Sequence, residues 1–183
     1  PWLLTPAAGT SRDALERVAN TDALTGLANR HAAARALGER LGRIPEPLTV
    51  MLLDLDEFKR INDSHGHQAG DAVLQEAAKR MRAALPEDAL LGRWGGEEFI
   101  AILDGVPGRE PASVAEAMRA ALAAAPVLFE GTAIPVTVSI GVATAFAADG
   151  IDTLLAEADA ALYRAKGAGR NRVVYGRAPV ALA

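Results

Sequence analysis

The sequence predicts an α+β fold in which helices cover a central, mostly antiparallel sheet in a ferredoxin-like arrangement. Short apolar runs alternate along the chain with amphipathic segments of helical period. Two strand-like runs, 90–94 and 99–103, are joined by a Gly-Gly turn, which indicates a hairpin among strands that helices otherwise connect. Such a hairpin does not fit the purely parallel order of a doubly wound sheet.

Composition and charge are those of a single globular domain. The chain has 183 residues, enough for one domain with a sizeable core and short for two. Hydrophobic residues make up 50%, charged residues 23% and aromatics only 4%, so we expect an aliphatic core. The net charge of −4 argues against a nucleic-acid partner held by a generally basic surface. The chain has no cysteine, which excludes disulfides and thiolate zinc sites.

The chain contains no apolar run near the roughly 20 residues that span a bilayer, and no signal peptide is visible. We therefore expect no membrane contact by this domain and a location in the cytoplasm, whether or not the parent protein is membrane-anchored. The Pro/Gly/Ala-rich start and its short helix predict a lead-in over residues 1–20. The domain itself is predicted over 21–177, with a tail at 178–183.

The first elements are two helices and a buried strand. Apolar spacing predicts a short helix over 11–19 and a second over 30–41, which ends at Gly42. Residues 48–53 (LTVMLL) are continuously apolar, as expected of a strand buried on both faces. The clearest amphipathic helix covers 68–85, with apolar residues at helical spacing, and Pro86 marks its end.

The second half of the chain repeats the alternation of strand and helix. In the hairpin, Gly95 and Gly96 are expected to supply the positive φ that a tight turn needs. Ser113 and Glu116 have the spacing of a capping box, which predicts a helix to about residue 124. The remaining elements are a strand over 136–143 with a close backbone approach or bulge at Gly141, a helix over 152–166 and a strand over 173–175.

Two carboxylates follow the first strand. Strand alternation places Asp54 and Asp56 on the same side, with Leu55 opposite. Oxygen-rich sites of this kind suit hard cations such as Mg²⁺. Acidic residues also simply end strands and cap turns, and on this pattern alone that alternative stays open.

The hairpin turn carries a second acidic pair, Glu97 and Glu98, whose like charges lie close together. A bound cation would relieve their repulsion, whereas a solvated surface turn would leave them in water. If this turn meets Asp54 on a neighbouring strand, the edge they share is suited to two metal ions about 3.5–4 Å apart that transfer a phosphoryl group.

Five blocks of the sequence together resemble the GGDEF family of diguanylate cyclases, in the GGEEF form of its signature. They occur in the family's order and cover roughly residues 20 to 176. The blocks are DALTGLANR at 22–30, DLDEFKRIND at 54–63 with GH at 66–67 and GD at 70–71, RWGGEEF at 93–99, SIGV at 139–142, and AD at 158–159 with KGAGRN at 166–171.

The resemblance implies a palm like that of nucleotide cyclases and assigns the acids to metal binding. Asp54 and Glu97 would bind two ions of Mg²⁺ or Mn²⁺ per half-site, with the carbonyl of Leu55 as a backbone ligand. Glu98 would be a further ligand or an orienting group in catalysis. Asp56 is expected instead to hold local geometry.

The remaining site residues are implied in the same way. Phe58, through its backbone N–H, and Lys59 would lie at the triphosphate beside Gly95 and Gly96. Lys166 and Arg170 would reach the phosphates from the opposite side, although Lys166 also fits as a cation that stabilises a helix C-terminus.

Asn62 and Asp71 resemble the residues that read guanine. A carboxylate accepts from the N1–H and N2–H donors of guanine, so Asp71 is suited to select guanine over adenine. Alternatively, Asp71 caps the first turn of its helix.

The implied reaction joins two GTP molecules into cyclic di-GMP and releases two diphosphates. One chain has one set of these residues, so an active homodimer is a mechanistic requirement. Many relatives also carry an inhibitory R-x-x-D product site, but the corresponding positions here are Pro86 and Ala89, which predicts no such site. The alternatives are a catalytically inactive GTP-binding or protein-interaction module on the same fold, and a related cyclase with another base choice.

Overall fold

The structure, a computed structural model, describes residues 18–42, 47–105, 110–145 and 150–176. Residues 18–20 are helical, and the rest of the helix predicted over 11–19 lies outside the described residues, as do the start of the predicted lead-in, the last residue of the predicted domain (177) and the whole tail predicted over 178–183. The five helices are α1 (Arg30–Leu41), α2 (Phe58–His65), α3 (His67–Ala84), α4 (Pro111–Ala123) and α5 (Ile151–Gly167). The strands are β1 (Leu48–Leu55), β2 (Leu90–Arg93), β3 (Glu98–Asp104), β4 (Val127–Phe129), β5 (Thr132–Ile134), β6 (Val138–Ala145) and β7 (Val173–Tyr175).

Five strands form one sheet in the order β2-β3-β1-β6-β7, and β4 and β5 form a separate hairpin. Within the five-stranded sheet β6 and β7 pair in parallel, whereas the other neighbours are antiparallel. Helices lie on both faces of this sheet. The predicted α+β fold with a mostly antiparallel sheet is therefore confirmed.

The central strand β1 is buried along its whole length, and its alternate residues belong to two different cores. Met51, Leu53 and Leu55 pack in the larger core with residues of α2, α3 and α4. Leu48, Val50 and Leu52 pack in the smaller core with residues of α1 and α5. Because side chains alternate along a strand, Asp54 continues the second series and emerges on the face covered by α5.

The structure confirms the close approach predicted at Gly141. A Cβ added there would lie 2.1 Å from the backbone oxygen of Ala158 on α5, so only glycine allows this helix to pack so closely on β6. None of the helices in the described ranges has the length and apolarity needed to cross a bilayer.

Three local predictions differ from the structure. The capping box at Ser113 is wrong, because α4 begins earlier at Pro111, with Glu110 as its N-cap and no side-chain capping bond. Glu116 instead pairs with Arg119 on the same helix. Helix α2 and the hairpin of β4 and β5 were both absent from the predicted element order.

Candidate active site

Asp54 and the two glutamates meet at one end of the sheet. Asp54 is the penultimate residue of β1, and it lies opposite Glu98, the first residue of β3. The next residue, Leu55, donates its backbone N–H to the carbonyl oxygen of Glu97 at 3.2 Å. The carboxylates that the sequence nominated thus stand on adjacent strands and on the turn between β2 and β3.

Asp54 is buried near one positively charged side chain and two negatively charged ones. Its side chain is 9% exposed, and Lys166 Nζ of α5 lies 2.7 Å from its Oδ2. Burial raises the pKa of the Asp54 carboxyl; Lys166 opposes this, while the charges of Glu97 and Glu98 add to it, and the net pKa stays above its ordinary value. Burial is thus the main reason that the pKa of Asp54 is raised, and the two glutamates add to it.

The donor atoms of this cluster fit a hard divalent cation. The side chains of Asp54, Glu97 and Glu98 and the backbone carbonyl of Leu55 offer oxygen only, which is the donor that Mg²⁺ and Mn²⁺ prefer. Over the described ranges no three His, Cys, Asp or Glu side chains converge as a complete metal cluster. Mg²⁺ usually takes one or two protein carboxylates and completes its shell with water and substrate phosphates.

The turn before β3 is braced by Arg93 rather than by glycine conformation. Arg93 donates from Nε and Nη2 to the carbonyl oxygen of Gly96 at 3.0 and 2.8 Å, and from Nη1 to both carboxylate oxygens of Asp22 at 3.2 Å. Burial raises the pKa of Asp22, but hydrogen bonds from Thr25 and Arg93 outweigh it and leave that pKa lowered. One guanidinium therefore fixes the segment that carries Glu97.

The positive φ expected at Gly95 and Gly96 is wrong, because neither residue is among those with positive φ in the described chain. Backbone N–H groups of Trp94 and Gly95 close the turn on the carbonyl of Glu98, at 2.8 and 3.2 Å. A Cβ added to Gly95 would lie 2.9 Å from Glu98 Oε2, whereas a Cβ added to Gly96 would have no neighbouring atom within 4 Å. Gly95 therefore leaves room for the end of the Glu98 side chain and has no left-handed backbone.

Helix α2 begins beside this edge of the sheet. Its N-cap, Glu57, has a left-handed backbone (φ 55°) and makes no side-chain capping bond. Phe58, the first helical residue, has its ring in the core, while the side chain of Lys59 is exposed. The first N–H groups of a helix have no partner within it, so this helix start suits an anion.

Two candidate cations contact acidic residues near the start of α2. Lys166 is in the last turn of α5, so its helix-terminus interpretation holds together with its contact to Asp54. Arg170 is exposed, and its Nε lies 4.0 Å from Glu57 Oε1. The structure thus places Lys166 and Arg170 beside the carboxyl end of β1, whereas the exposed Lys59 has no contact among the described residues that ties it to this site.

Asn62 and Asp71 occupy neighbouring helices. Asn62 lies so close to α3 that a Cβ added to Gly70 would be 1.9 Å from Asn62 Oδ1. Asp71 is exposed and is the fifth residue of α3, which has no acidic residue in its first turn and no side-chain capping bond. The capping alternative for Asp71 is therefore wrong.

The positions of the family's product site hold no charged side chain in this protein. Ala89 is buried, and Pro86 lies in the link between α3 and β2. Arg82 of α3 donates to the carbonyl oxygens of both, at 2.7 Å for Ala89. This arginine is thereby engaged with the backbone.

Sequence reasoning found the acids and cations but not the groups that position them. Arg93 and Asp22 are 71 residues apart, and Gly70 acts through a neighbouring helix. All three lie in motif blocks quoted above, yet no local pattern names their partners.

Known proteins match this chain in sequence and in fold. The family model described as diguanylate cyclase, GGDEF domain, matches residues 19–172. The chain is 40% identical over 156 residues to diguanylate cyclase DgcP of Pseudomonas aeruginosa, covering 84% of this chain and 23% of that protein. It is also 40% identical over 165 residues to diguanylate cyclase DgcM of Escherichia coli K12, covering 87% of this chain and 39% of that protein.

A solved structure has the same fold over almost its full length. It is the crystal structure of the coiled coil and GGDEF domain of DgcB from Caulobacter crescentus in complex with c-di-GMP. It superposes with a TM-score of 0.86 at 30% identity, covering 92% of this chain and 91% of that one. The chain spans well under half the length of the two curated relatives above, but its match to the family model extends over most of its own length. The chain belongs to the GGDEF family.

Proposed function

We propose that this domain is a diguanylate cyclase that joins two GTP molecules into cyclic di-GMP and releases two diphosphates. The observation that carries the proposal is the cluster of Asp54, Glu97 and Glu98 at one sheet edge, with Lys166 against it. The relatives named diguanylate cyclase support the same reaction. The domain is proposed to extend over residues 21–177 and to act in the cytoplasm, with residues 1–20 as its lead-in.

Asp54, Glu97 and the Leu55 carbonyl are the proposed ligands of two ions of Mg²⁺ or Mn²⁺, and Glu98 is a further ligand or an orienting group. When bound, the ions lower the pKa of the attacking 3′-hydroxyl and neutralise charge that develops at the α-phosphate. Lys166, whose Nζ lies 2.7 Å from Asp54 Oδ2, would bind a phosphate oxygen of GTP.

The remaining residues bind and orient GTP. The start of α2, with the N–H of Phe58 and the side chain of Lys59, is proposed to hold the triphosphate together with Arg170, and Gly95 and Gly96 leave room beside it. Asn62 and Asp71 are proposed to bind the guanine edge. This division is supported by Arg170, which lies near the start of α2, and by Asn62, whose side chain lies against α3.

The reaction further needs a second copy of the chain. One chain offers one set of these groups, so it binds one GTP, and the attacking hydroxyl must come from GTP on a facing copy. We propose a homodimer that forms at least during catalysis.

The test is to incubate the purified chain with GTP and Mg²⁺ or Mn²⁺ and to identify products by mass spectrometry. Cyclic di-GMP is expected, and a Glu97→Ala variant is expected to form none. A folded chain that binds GTP at high protein concentration but forms no cyclic dinucleotide would favour the inactive GTP-binding module instead.

A further inference from the structure

Asp56 is a buried carboxylate whose hydrogen bonds connect separate segments of the chain. It follows β1 directly and is 7% exposed. Its Oδ2 accepts from Thr137 Oγ1 at 2.6 Å and from the backbone N–H of Asn171 at 2.9 Å, and its Oδ1 accepts from Ser139 Oγ at 2.6 Å. Both carboxylate oxygens are therefore already occupied by donors, unlike those of a metal ligand waiting for a cation.

The segment that Asp56 holds contains Arg170 and has an unusual backbone. Gly169, Arg170 and Asn171 have φ values of 112°, 62° and 45° in succession. Residues with a side chain are strained in this region and stay there only when their surroundings fix them. We call residues 168–172 the Arg170 turn.

Several hydrogen bonds hold the Arg170 turn, including one from the Ile140 backbone N–H to the Arg172 carbonyl oxygen at 2.9 Å, and two of them act on Asn171. Asp56 accepts the Asn171 backbone N–H, and Arg119 Nη1 of α4 donates to Asn171 Oδ1 at 2.8 Å. Asp56 is itself tied to the strand before α2, so it sets the distance between Arg170 and the helix start at Phe58. Arg170 Nε lies 4.0 Å from Glu57 Oε1, the residue just before that helix.

We propose that Asp56 is a positioning residue for GTP: it holds the Arg170 turn against the end of β1, so that Arg170 faces the triphosphate. This inference rests on the proposed function, since it takes the start of α2 as the triphosphate site. Asp56 acts through Arg170 and does not contact the substrate.

The experiment is a double-mutant cycle between Asp56 and Arg170, read out as binding of 3′-deoxy-GTP with Mg²⁺ by calorimetry. This analogue lacks the attacking hydroxyl, so affinity is measured without turnover. Asp56→Ala is expected to weaken binding about tenfold in the wild-type background and less than about twofold in an Arg170→Ala background, because groups that act as one unit are not additive.

Asp56→Asn is the conservative variant. Its amide oxygen can still accept from Asn171, and the Ser139 hydroxyl can turn to accept from the new amide, so affinity is expected to stay within about threefold of wild type. Thr49→Val is the matched control. It removes a buried hydroxyl pair with Thr144 at the opposite end of β1, and it should lower the melting temperature without changing affinity.

Three results would overturn the inference: wild-type affinity in Asp56→Ala, an equal loss in both backgrounds, or a loss in Asp56→Asn as large as in Asp56→Ala. The last would mean that the charge itself is needed, as in a metal ligand. If Asp56→Ala does not fold, Arg119→Ala tests the same turn and is expected to lose about threefold in the wild-type background only. A wild-type chain that binds 3′-deoxy-GTP but forms no cyclic di-GMP would contradict the proposed function and leave the cycle readable.

Discussion

At the scale of single residues, the candidate site depends on a glycine that leaves steric room as well as on side chains with reactive or charged groups. Gly70 has no chemistry of its own, yet the Asn62 side chain lies where a Cβ of residue 70 would be. Asp54, in contrast, carries a carboxylate proposed to bind metal, and burial raises the pKa of that carboxylate. A substitution at one of these positions therefore affects both folding stability and the proposed function.

Gly70→Ala is predicted to weaken GTP binding by about tenfold, since the new methyl group displaces Asn62 from its place between α2 and α3. Gly38→Ala on α1 is the matched control, because its added Cβ would lie 3.6 Å from the nearest atom, an ordinary contact. Calorimetric titration with 3′-deoxy-GTP and Mg²⁺ measures the affinity of both variants. Equal affinity of the Gly70→Ala variant and wild type would show that Asn62 does not read the nucleotide.

Asp54→Asn is predicted to abolish product formation while raising the melting temperature at neutral pH. The pKa of Asp54 is higher in the folded than in the unfolded state, so the folded state binds the proton more tightly. Above the folded-state pKa, wild type therefore carries the full destabilisation of burying an ionised carboxylate. The advantage of the variant should shrink as pH falls through that raised pKa. Thermal melts over a pH series check this, and a variant less stable than wild type at neutral pH would mean that the Lys166 contact outweighs burial.

At the scale of elements, the long periodic segments were predictable and the short ones were not. Helices α1, α3 and α5 and the sheet strands have clear apolar periods, and they lie within about two residues of their predicted bounds. Helix α2 has eight residues, of which only Phe58 and Ile61 are buried, so its sequence shows too little of the period.

The hairpin of β4 and β5 was missed for a related reason. Its two-residue loop is Glu130-Gly131, with φ values of 47° and 80°. Glutamate is rare in this conformation, where Asn or Asp before Gly is the usual signal. The capping box failed because Pro111, which is favoured at the first helical positions, starts α4 two residues before Ser113.

The acids of the candidate site were predictable because Asp54 lies at the end of an apolar strand and Glu97 and Glu98 lie between two others, and adjacent strands bring them together. Their supports were not, because Asp22 and Arg93, like Asp56 and Asn171, become neighbours only through the fold. Hydrogen bonds between residues so far apart in the sequence cannot be predicted from local residue spacing.

Arg93→Lys is predicted to lower kcat by about 10- to 100-fold with the fold retained. Lysine keeps the charge but cannot bridge the Gly96 carbonyl and the Asp22 carboxylate together, so the turn that carries Glu97 loses its brace. Arg35→Lys on α1, whose partner Glu39 is exposed, is the control and should leave kcat unchanged. Unchanged kcat in Arg93→Lys would remove the bracing role.

At the scale of the whole molecule, the site of one chain is half of the proposed enzyme. Its acids and cations lie at one end of the sheet, where a facing copy would bring a second GTP. The surface charge of the whole chain is mildly negative, so local cations rather than a general basic surface must attract the nucleotide.

Specific activity is predicted to fall on dilution, because the active dimer dissociates. An excess of the Glu97→Ala variant should inhibit wild type, because wild-type chains then form mixed dimers with the inactive variant. Product formation followed over a concentration series measures the first effect, and a titration with the variant measures the second. Specific activity independent of concentration, together with no inhibition by the variant, would indicate a chain that works alone or a dimer that does not exchange.

The most direct test of the central claim is the product stoichiometry of wild type compared with Glu97→Ala and with Glu87→Ala, an exposed glutamate in the link before β2. Wild type and Glu87→Ala are expected to form cyclic di-GMP with two diphosphates per product, and Glu97→Ala is expected to form none. Product formed equally by Glu97→Ala, or no cyclic dinucleotide from any folded sample at high concentration, would contradict the claim that Asp54 and Glu97 form the catalytic metal site of a diguanylate cyclase.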